Sequence, residues 1–306
     1  VLFRSELARR FRSLLSGSPT GVPAWTPLVT EGDDNGLFSP TDPAWIVHAD
    51  LATLVGGIRA LLTQALHPGS LAGVVQHSRY ETDVLGRLNG TIRWLTICTF
   101  GSQAAVATES ARVRALHENV RGSYRDSSGE THSYRASDHD LLLWVHAAFT
   151  DSFLAAHHIY GKTTVDEDAY VEGWAKAVEP LGLMDAPQSV AALHRRMAEY
   201  DSVLTVDATT RRVVDFIRRV PFPRGAKPVY WLLFQAAVDS LPNEYRERLG
   251  LRTLPSPIVR WLIRRLLGAM RWVVGDMSPM ETAALARRAR LAHHDAYGTG
   301  SGVAPS

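Results

Sequence analysis

Apolar residues recur at three- and four-residue spacing in segment after segment of this chain, and apolar/polar alternation with β-branched enrichment is almost absent. The pattern predicts an all-α protein. After a short opening helix, the stretch SGSPTGVPAWTPLVTEGDDNGLFSP (16–40) is rich in Pro and Gly and predicts a surface loop. Asp42 as cap and Pro43 in the first turn predict one long helix to Leu66, stopped at His67-Pro68-Gly69. Further helices are expected over 69–78, 82–99, 102–120, 138–160, 166–178, 187–200, 206–218, 225–239, 243–248, 256–274 and 278–296. This divides the chain into an N-terminal helix and irregular segment (1–40), an all-α catalytic domain (41–296) and a disordered tail (297–306), with PLGLMDAPQS (180–189) as a candidate hinge.

Composition narrows the possibilities. With 306 residues, 45% hydrophobic, 21% charged and a formal net charge of +2, the chain can bury a sizeable core and reads as globular and soluble. Its single cysteine, Cys98, excludes an internal disulfide, a CxxC pair, covalent haem attachment through CxxCH and any cysteine-rich metal site, and fits a cytoplasmic setting. The start VLFRSELARRF has no initiator Met and lacks the marks of a secretory signal, so it reads as a fragment start, with Val1 to Ser5 as non-native candidates. The longest apolar runs fall far short of the roughly 20 residues of a membrane span. HExxH, GxSxG, P-loop and GxGxxG motifs are absent, which leaves hydrolase, kinase and dinucleotide-dehydrogenase readings without support. The acidic run DEDAYVE (166–172) lacks the spacing of an EF-hand and the Glu-x-x-His of a di-iron site, so it reads as a helix N-terminus.

Two predicted helices carry the chemistry. Within DHDLLLWVHAAFTDSFLAAHHIYGK (138–162), which Asp138 can cap and Gly161 can end, Leu142, Val145, His146, Phe149, Phe153, Ala156 and His157 share an apolar face. A histidine in such a face is buried, and an unpartnered ring nitrogen costs on the order of 1 to 3 kcal/mol. His146 therefore needs a partner: a backbone carbonyl, a carboxylate such as Asp151, or iron. In RVRALHENVRG (112–122), Arg114 and His117 lie three apart on one face. Such a pair suits an anion such as a haem propionate, while the run of arginines equally suits a solvated face. Two histidines on facing helices can hold an iron porphyrin between them. His67 can orient a propionate or stabilise the turn after it; Arg59 can pair with a propionate or an acidic residue, and Gly56-Gly57 can let a helix or a macrocycle approach. His157-His158 and His293-His294 are poor shared metal sites, and His48, His77, His132, His139 and His194 read as surface or capping residues.

The segments PAWIVHADLATLVGGIRALLTQALHPGSLAGVVQHS, FGSQAAVATESARVRALHENVRG, YRASDHDLLLWVHAAFTDSFL and VDEDAYVEGWAKAVEPLG, spread over about residues 40–275, resemble the superfamily of rubber oxygenases (latex-clearing proteins) and MpaB oxygenases. The resemblance implies a globin-like helical core and haem b. In rubber oxygenases an Arg-x-x-Lys-Thr motif precedes the axial histidine by about the interval that separates His117 from His146 here, 29 positions. By position, His146 resembles the axial ligand and Arg114 the motif arginine, while His117 and Glu118 replace the lysine and threonine. A histidine there can close the iron from the other side or act as a distal acid or base, and the departure argues against rubber as substrate.

The expectation is a haem b-dependent oxygenase using dioxygen on an apolar, unsaturated, isoprenoid- or lipid-like molecule, with His117, Arg114 and Glu118 as catalytic candidates. The cofactor would be held by His146, His117, Arg114, Arg59 and His67. Two alternatives stand beside it: a non-enzymatic haem protein, and a haem-free helical module that meets a membrane or partner. From Leu251 to Arg290 eight arginines face only Asp276 and Glu281. The helix at 256–274 reads either as a membrane-interface helix or as a core helix whose Arg260, Arg264 and Arg271 stripe faces water. Nucleic acid is not an expected partner, because overall charge is near neutral.

Overall fold

The computed structural model describes residues 2–16, 18, 20–77, 84–126 and 128–298. In chain order the helices are α1 (Leu2–Ser16), α2 (Pro27–Thr30), α3 (Pro43–Ala49), α4 (Thr53–Gln64), α5 (Pro68–His77), α6 (Val84–Phe100), α7 (Gln103–Glu118) and α8 (His139–Tyr160). They continue as α9 (Glu167–Ala175), α10 (Val190–Glu199), α11 (Ala208–Arg218), α12 (Lys227–Ser240), α13 (Asn243–Arg248), α14 (Ser256–Val274) and α15 (Pro279–Gly298). A 3-10 turn at Glu179–Leu181 follows α9, and a two-stranded hairpin joins α7 to α8. Most of the expected tail, residues 299–306, lies outside the described residues, as does Val1.

Helix α8 is the axis of the fold. Its 22 residues are buried on most sides, including Trp144, Ala147, Ala148, Phe153 and Ala156, and α4 crosses it closely. The close crossing depends on Gly56, where a Cβ would stand 2.7 Å from Phe153 Cδ1 and 3.1 Å from its Cα. At Gly57 the same atom would meet nothing within 4 Å. Around this pair pack α3, α9, α10, α12 and α14, closing a core that includes Trp45, Trp144 and Trp174.

The single helix expected from Asp42 to Leu66 is two helices bent by 94°. The break falls at Asp50, whose Oδ1 accepts from the Ala52 backbone N–H at 2.7 Å, so a local side-chain turn outcompetes the helical bond. The same carboxylate accepts from the Lys162 backbone at 3.0 Å and from Arg271 at 2.9 Å, fixing the elbow to the end of α8 and to α14. No described helix is long and apolar enough by itself to cross a membrane. Capping also departs from expectation: the carboxylates of Asp42 and Asp138 accept from Ser39 N and Arg135 N, both at 2.7 Å, bracing the preceding turns instead of their own helices.

Two strands, β1 (Arg121–Arg125) and β2 (Thr131–Arg135), pair as an antiparallel hairpin, which the periodicity did not predict. Its strands are nearly all polar; Tyr124 and Tyr134 supply the inward face, and Tyr134 donates to Gln76 Oε1 at 2.9 Å on α5. Asp126 organises the turn by accepting from Ser128 N, Ser128 Oγ and Glu130 N.

The arginine stripe of α14 lies along the exposed flank of the helix at Arg260 and Arg264 and is covered only at Arg271. Arg271 reaches Asp50, Arg260 approaches Asp239 Oδ2 at 3.4 Å, and Arg264 donates to the Ile159 carbonyl at 3.3 Å. Each of the three touches an acceptor at the helix–helix boundary while Arg260 and Arg264 stay solvent-exposed, and Ile258 and Trp261 point outward beside them.

Candidate active site

His146 stands on the central helix, 5% exposed. Burial pushes its pKa down to about 4, so the ring is neutral at ordinary pH. Its Nε2 has one neighbour of hydrogen-bonding type, Thr150 Oγ1, at 3.5 Å. That hydroxyl already donates to the His146 carbonyl at 2.8 Å, leaving only a marginal acceptor for the ring. Among the described residues neither a backbone carbonyl nor a carboxylate meets the His146 ring. Asp151 turns to α4 instead, where Arg59 Nη1 donates to its Oδ2 at 2.6 Å, and His194 lies 3.4 Å from its Oδ1. Burial drives the Asp151 carboxyl upward, but the Arg59 charge and the His194 and Arg59 hydrogen bonds outweigh it and hold the pKa below the usual value.

Arg59, for which the sequence offered a propionate or an acidic residue, meets an acidic residue in the structure. It is buried, and it also donates to Ser152 Oγ at 2.8 Å and to the Ser240 carbonyl at 3.1 Å, so the acidic-partner alternative is the one its geometry matches. His67 accepts from the Ser70 backbone N–H at 3.3 Å between Trp144 and Tyr200. That bond braces the first turn of α5, and burial, partly opposed by Asp140, lowers the His67 pKa to about 4.

Helix α7 begins on a Ser102 cap, whose hydroxyl accepts from Ala105 N at 3.2 Å. Buried Glu109 fastens it to α6 by taking Arg93 at 2.7 Å, and within α7 it also takes Arg112 at 2.5 Å. Val106, Ser110, Val113 and His117 fall on one stripe at steps of four, three and four. Ser110 Oγ is buried without a hydrogen-bond partner, and His117 is half-buried, with its pKa lowered by burial. The outer half of α7 is thinly covered: Ala111, Arg114, Leu116 and Glu118 are exposed. The Arg114 guanidinium donates to the Pro180 carbonyl in the 3-10 turn.

The structure therefore does not gather Arg114, His117 and Glu118 around His146. Helix α7 packs on α6 and the 3-10 turn and is not a close neighbour of α8. Leu181 from that turn and Leu142, one turn before His146, pack against the same small cluster of Leu143, Val178 and Leu183. Two open grooves lie elsewhere, one along Ser256–Arg265 on α14 and one around Asp185–Glu199 on α10.

The family of catalytic domains of the ER-bound oxygenases mpaB/B' and of rubber oxygenase matches residues 45–275. The chain belongs to this family. As a member it is an oxygenase-type oxidoreductase domain, and the matched span runs from α3 through α14. No curated protein and no solved structure matches the chain.

Other interior groups add to this oxygenase domain's site inventory. His48, read from sequence as a surface residue, is half-buried against Phe153, Tyr170 and Trp174, with ring centroids 4.9, 5.8 and 4.0 Å away. Its Nε2 lies 3.3 Å from the Tyr170 hydroxyl, and burial followed by repulsion from His157 lowers its pKa to about 3. The signal was present in its position three residues after Trp45 on an apolar helix. His157 is buried with both ring nitrogens lacking hydrogen bonds; the Thr163 backbone lies near without meeting bonding geometry. Gly161 lies so close to that ring that a Cβ there would stand 2.8 Å from its Nδ1, so a side chain at 161 is excluded.

Proposed function

We propose that this oxygenase domain holds haem b through His146 and uses dioxygen on an apolar, unsaturated small molecule of isoprenoid or lipid-like character. One observation carries the reading: a buried, neutral imidazole on the central helix has, among the described residues, only a long 3.5 Å contact to the Thr150 hydroxyl. Iron binding requires a neutral imidazole with a free lone pair, and burial keeps His146 in that form down to about pH 4. Bound haem would supply the dioxygen chemistry, while the chain supplies the axial ligand, polar groups and an apolar lining.

His117 is the second imidazole on offer, neutral for the same reason and on a helix held apart from α8. A flat prosthetic group between two helices needs that separation. Entry requires the 3-10 turn at Glu179–Leu181 and the outer half of α7 to move off the α8 face that carries Leu142 and His146. Thin packing there makes the movement inexpensive. Arg114, released from the Pro180 carbonyl, is then the cation nearest at hand in sequence for a propionate.

A second reading, a closed bis-histidine haem protein without turnover, is favoured by the lack of a hydrogen-bonding partner for the His117 ring among the described residues. Haem titration followed by reduction under carbon monoxide separates the two. A carbon-monoxide-shifted spectrum together with dioxygen uptake on adding an unsaturated isoprenoid supports the oxygenase. A six-coordinate spectrum indifferent to carbon monoxide supports the closed centre.

A further inference from the structure

Helix α14 carries four arginines and no carboxylate in nineteen residues. Its inner side is held by Val259, Ile263 and Leu267, which are buried; on its flank Arg271 meets the α3–α4 elbow, while Arg260 and Arg264 touch α12 and α8 and remain exposed. Its outer side carries exposed apolar side chains with Arg265 among them. Ile258 is 50% exposed and Trp261 59%, and Trp272 continues the same ridge at 68%, spacings of three and eleven that return to one face. The ridge from Ile258 to Trp272 spans about 21 Å at 1.5 Å per residue. Beside it runs an open groove of about 560 Å³ lined by Ser256, Pro257, Arg260, Trp261, Arg264 and Arg265. Arg265 lies over the Trp261 ring at 5.8 Å, and neither Arg264 nor Arg265 meets a carboxylate among the described residues.

We infer that this face of α14 docks on an anionic phospholipid surface, with Ile258 and Trp261 at the headgroup boundary and the arginine groove receiving lipid phosphates. Exposed indole beside guanidinium matches the layering of a bilayer interface, where aromatic rings sit at headgroup depth and cations meet the anionic lipids. A second copy of the chain is the less fitting occupant. A two-fold contact through this helix would set arginine against arginine with no carboxylate on α14 to offset them. The inference concerns how the domain is placed, and it stands whether or not His146 binds iron.

The test is co-sedimentation of the full chain with vesicles of phosphatidylcholine alone and of phosphatidylcholine with 30% phosphatidylglycerol, at low and at high salt. Binding is expected only to the anionic vesicles, and weaker in high salt because screening shortens the reach of the charges to a few ångströms. R264Q and R265Q are each expected to weaken binding about five-fold. The pair I258S/W261S should abolish it while leaving the helical circular dichroism unchanged, since both side chains are exposed. Equal binding to neutral vesicles, no binding to anionic ones, or a dimer in sedimentation equilibrium that I258S/W261S dissolves would each overturn the proposal.

Discussion

Replacing Arg59 by methionine should be among the most damaging single changes away from the candidate iron ligand. The guanidinium is 2% exposed and satisfies three acceptors: the Asp151 carboxylate at 2.6 Å, Ser152 Oγ at 2.8 Å and the Ser240 carbonyl at 3.1 Å. Methionine fills most of the volume but leaves Asp151 charged in a largely desolvated setting. Removing one partner of a buried pair typically costs about 3–5 kcal/mol. His194 remains 3.4 Å from the other carboxylate oxygen and offsets part of that, so a loss of about 3 kcal/mol is expected. For a domain of this size each kcal/mol shifts the midpoint by about 2 °C, which gives a fall of about 6 °C in thermal unfolding. The double variant Arg59→Met/Asp151→Leu replaces the whole pair with apolar groups and should recover at least half of the loss. Guanidinium unfolding followed by tryptophan fluorescence reads all three proteins. A single-variant cost below about 1 kcal/mol, or a double variant no better than the single, would refute the assignment of Arg59 as an internal ion-pair partner.

Three further outcomes follow from the packing. Gly56→Ala should destabilise by about 1–3 kcal/mol, because its Cβ would meet the Phe153 backbone, whereas Gly57→Ala, with open space around it, should stabilise by about 0.5–1 kcal/mol; equal effects in calorimetry would contradict the close α4–α8 crossing. Acid should weaken the haem-free fold: burial lowers the pKa of His146 and His67 to about 4 and of His48 to about 3, below the unfolded value of about 6.5, so the unfolded chain binds protons first. Stability should hold above about pH 7, fall as pH drops below about 6.5, and continue falling to about pH 4; a urea midpoint that is flat from pH 7 to 5 would contradict this. Cys98 is buried with its thiol pKa pushed up by burial and by Glu109, so Ellman's reagent should label it at least 100-fold faster in denaturant than in the native protein, and equal rates would place it at the surface.

Helix positions were legible in the sequence wherever an apolar stripe was long, as in α8, α12 and α14, because burial of one face decides the matter. The elbow at Asp50 was not, since it depends on a side-chain turn and on Arg271, 221 positions away. The hairpin escaped for a different reason: its strands contain little apolar surface, and only two tyrosines mark its inner face. Among the site residues, the placement of His146 on a buried face followed from spacing alone. The commitments of Arg59 and Asp151 did not, because which cation meets which carboxylate is settled by helix crossing angles that spacing does not encode. Arg114 and Glu118 illustrate the limit of motif position: they occupy a family landmark, yet both are exposed on α7 here.

The central claim is that His146 is a ligand waiting for iron. The visible absorption spectrum of the chain expressed with haem precursor tests it most directly, read alongside that of His146→Ala. A Soret band in the parent chain that shifts or vanishes in the variant is the predicted result. A colourless parent protein, or a band indifferent to the loss of that imidazole, would contradict it.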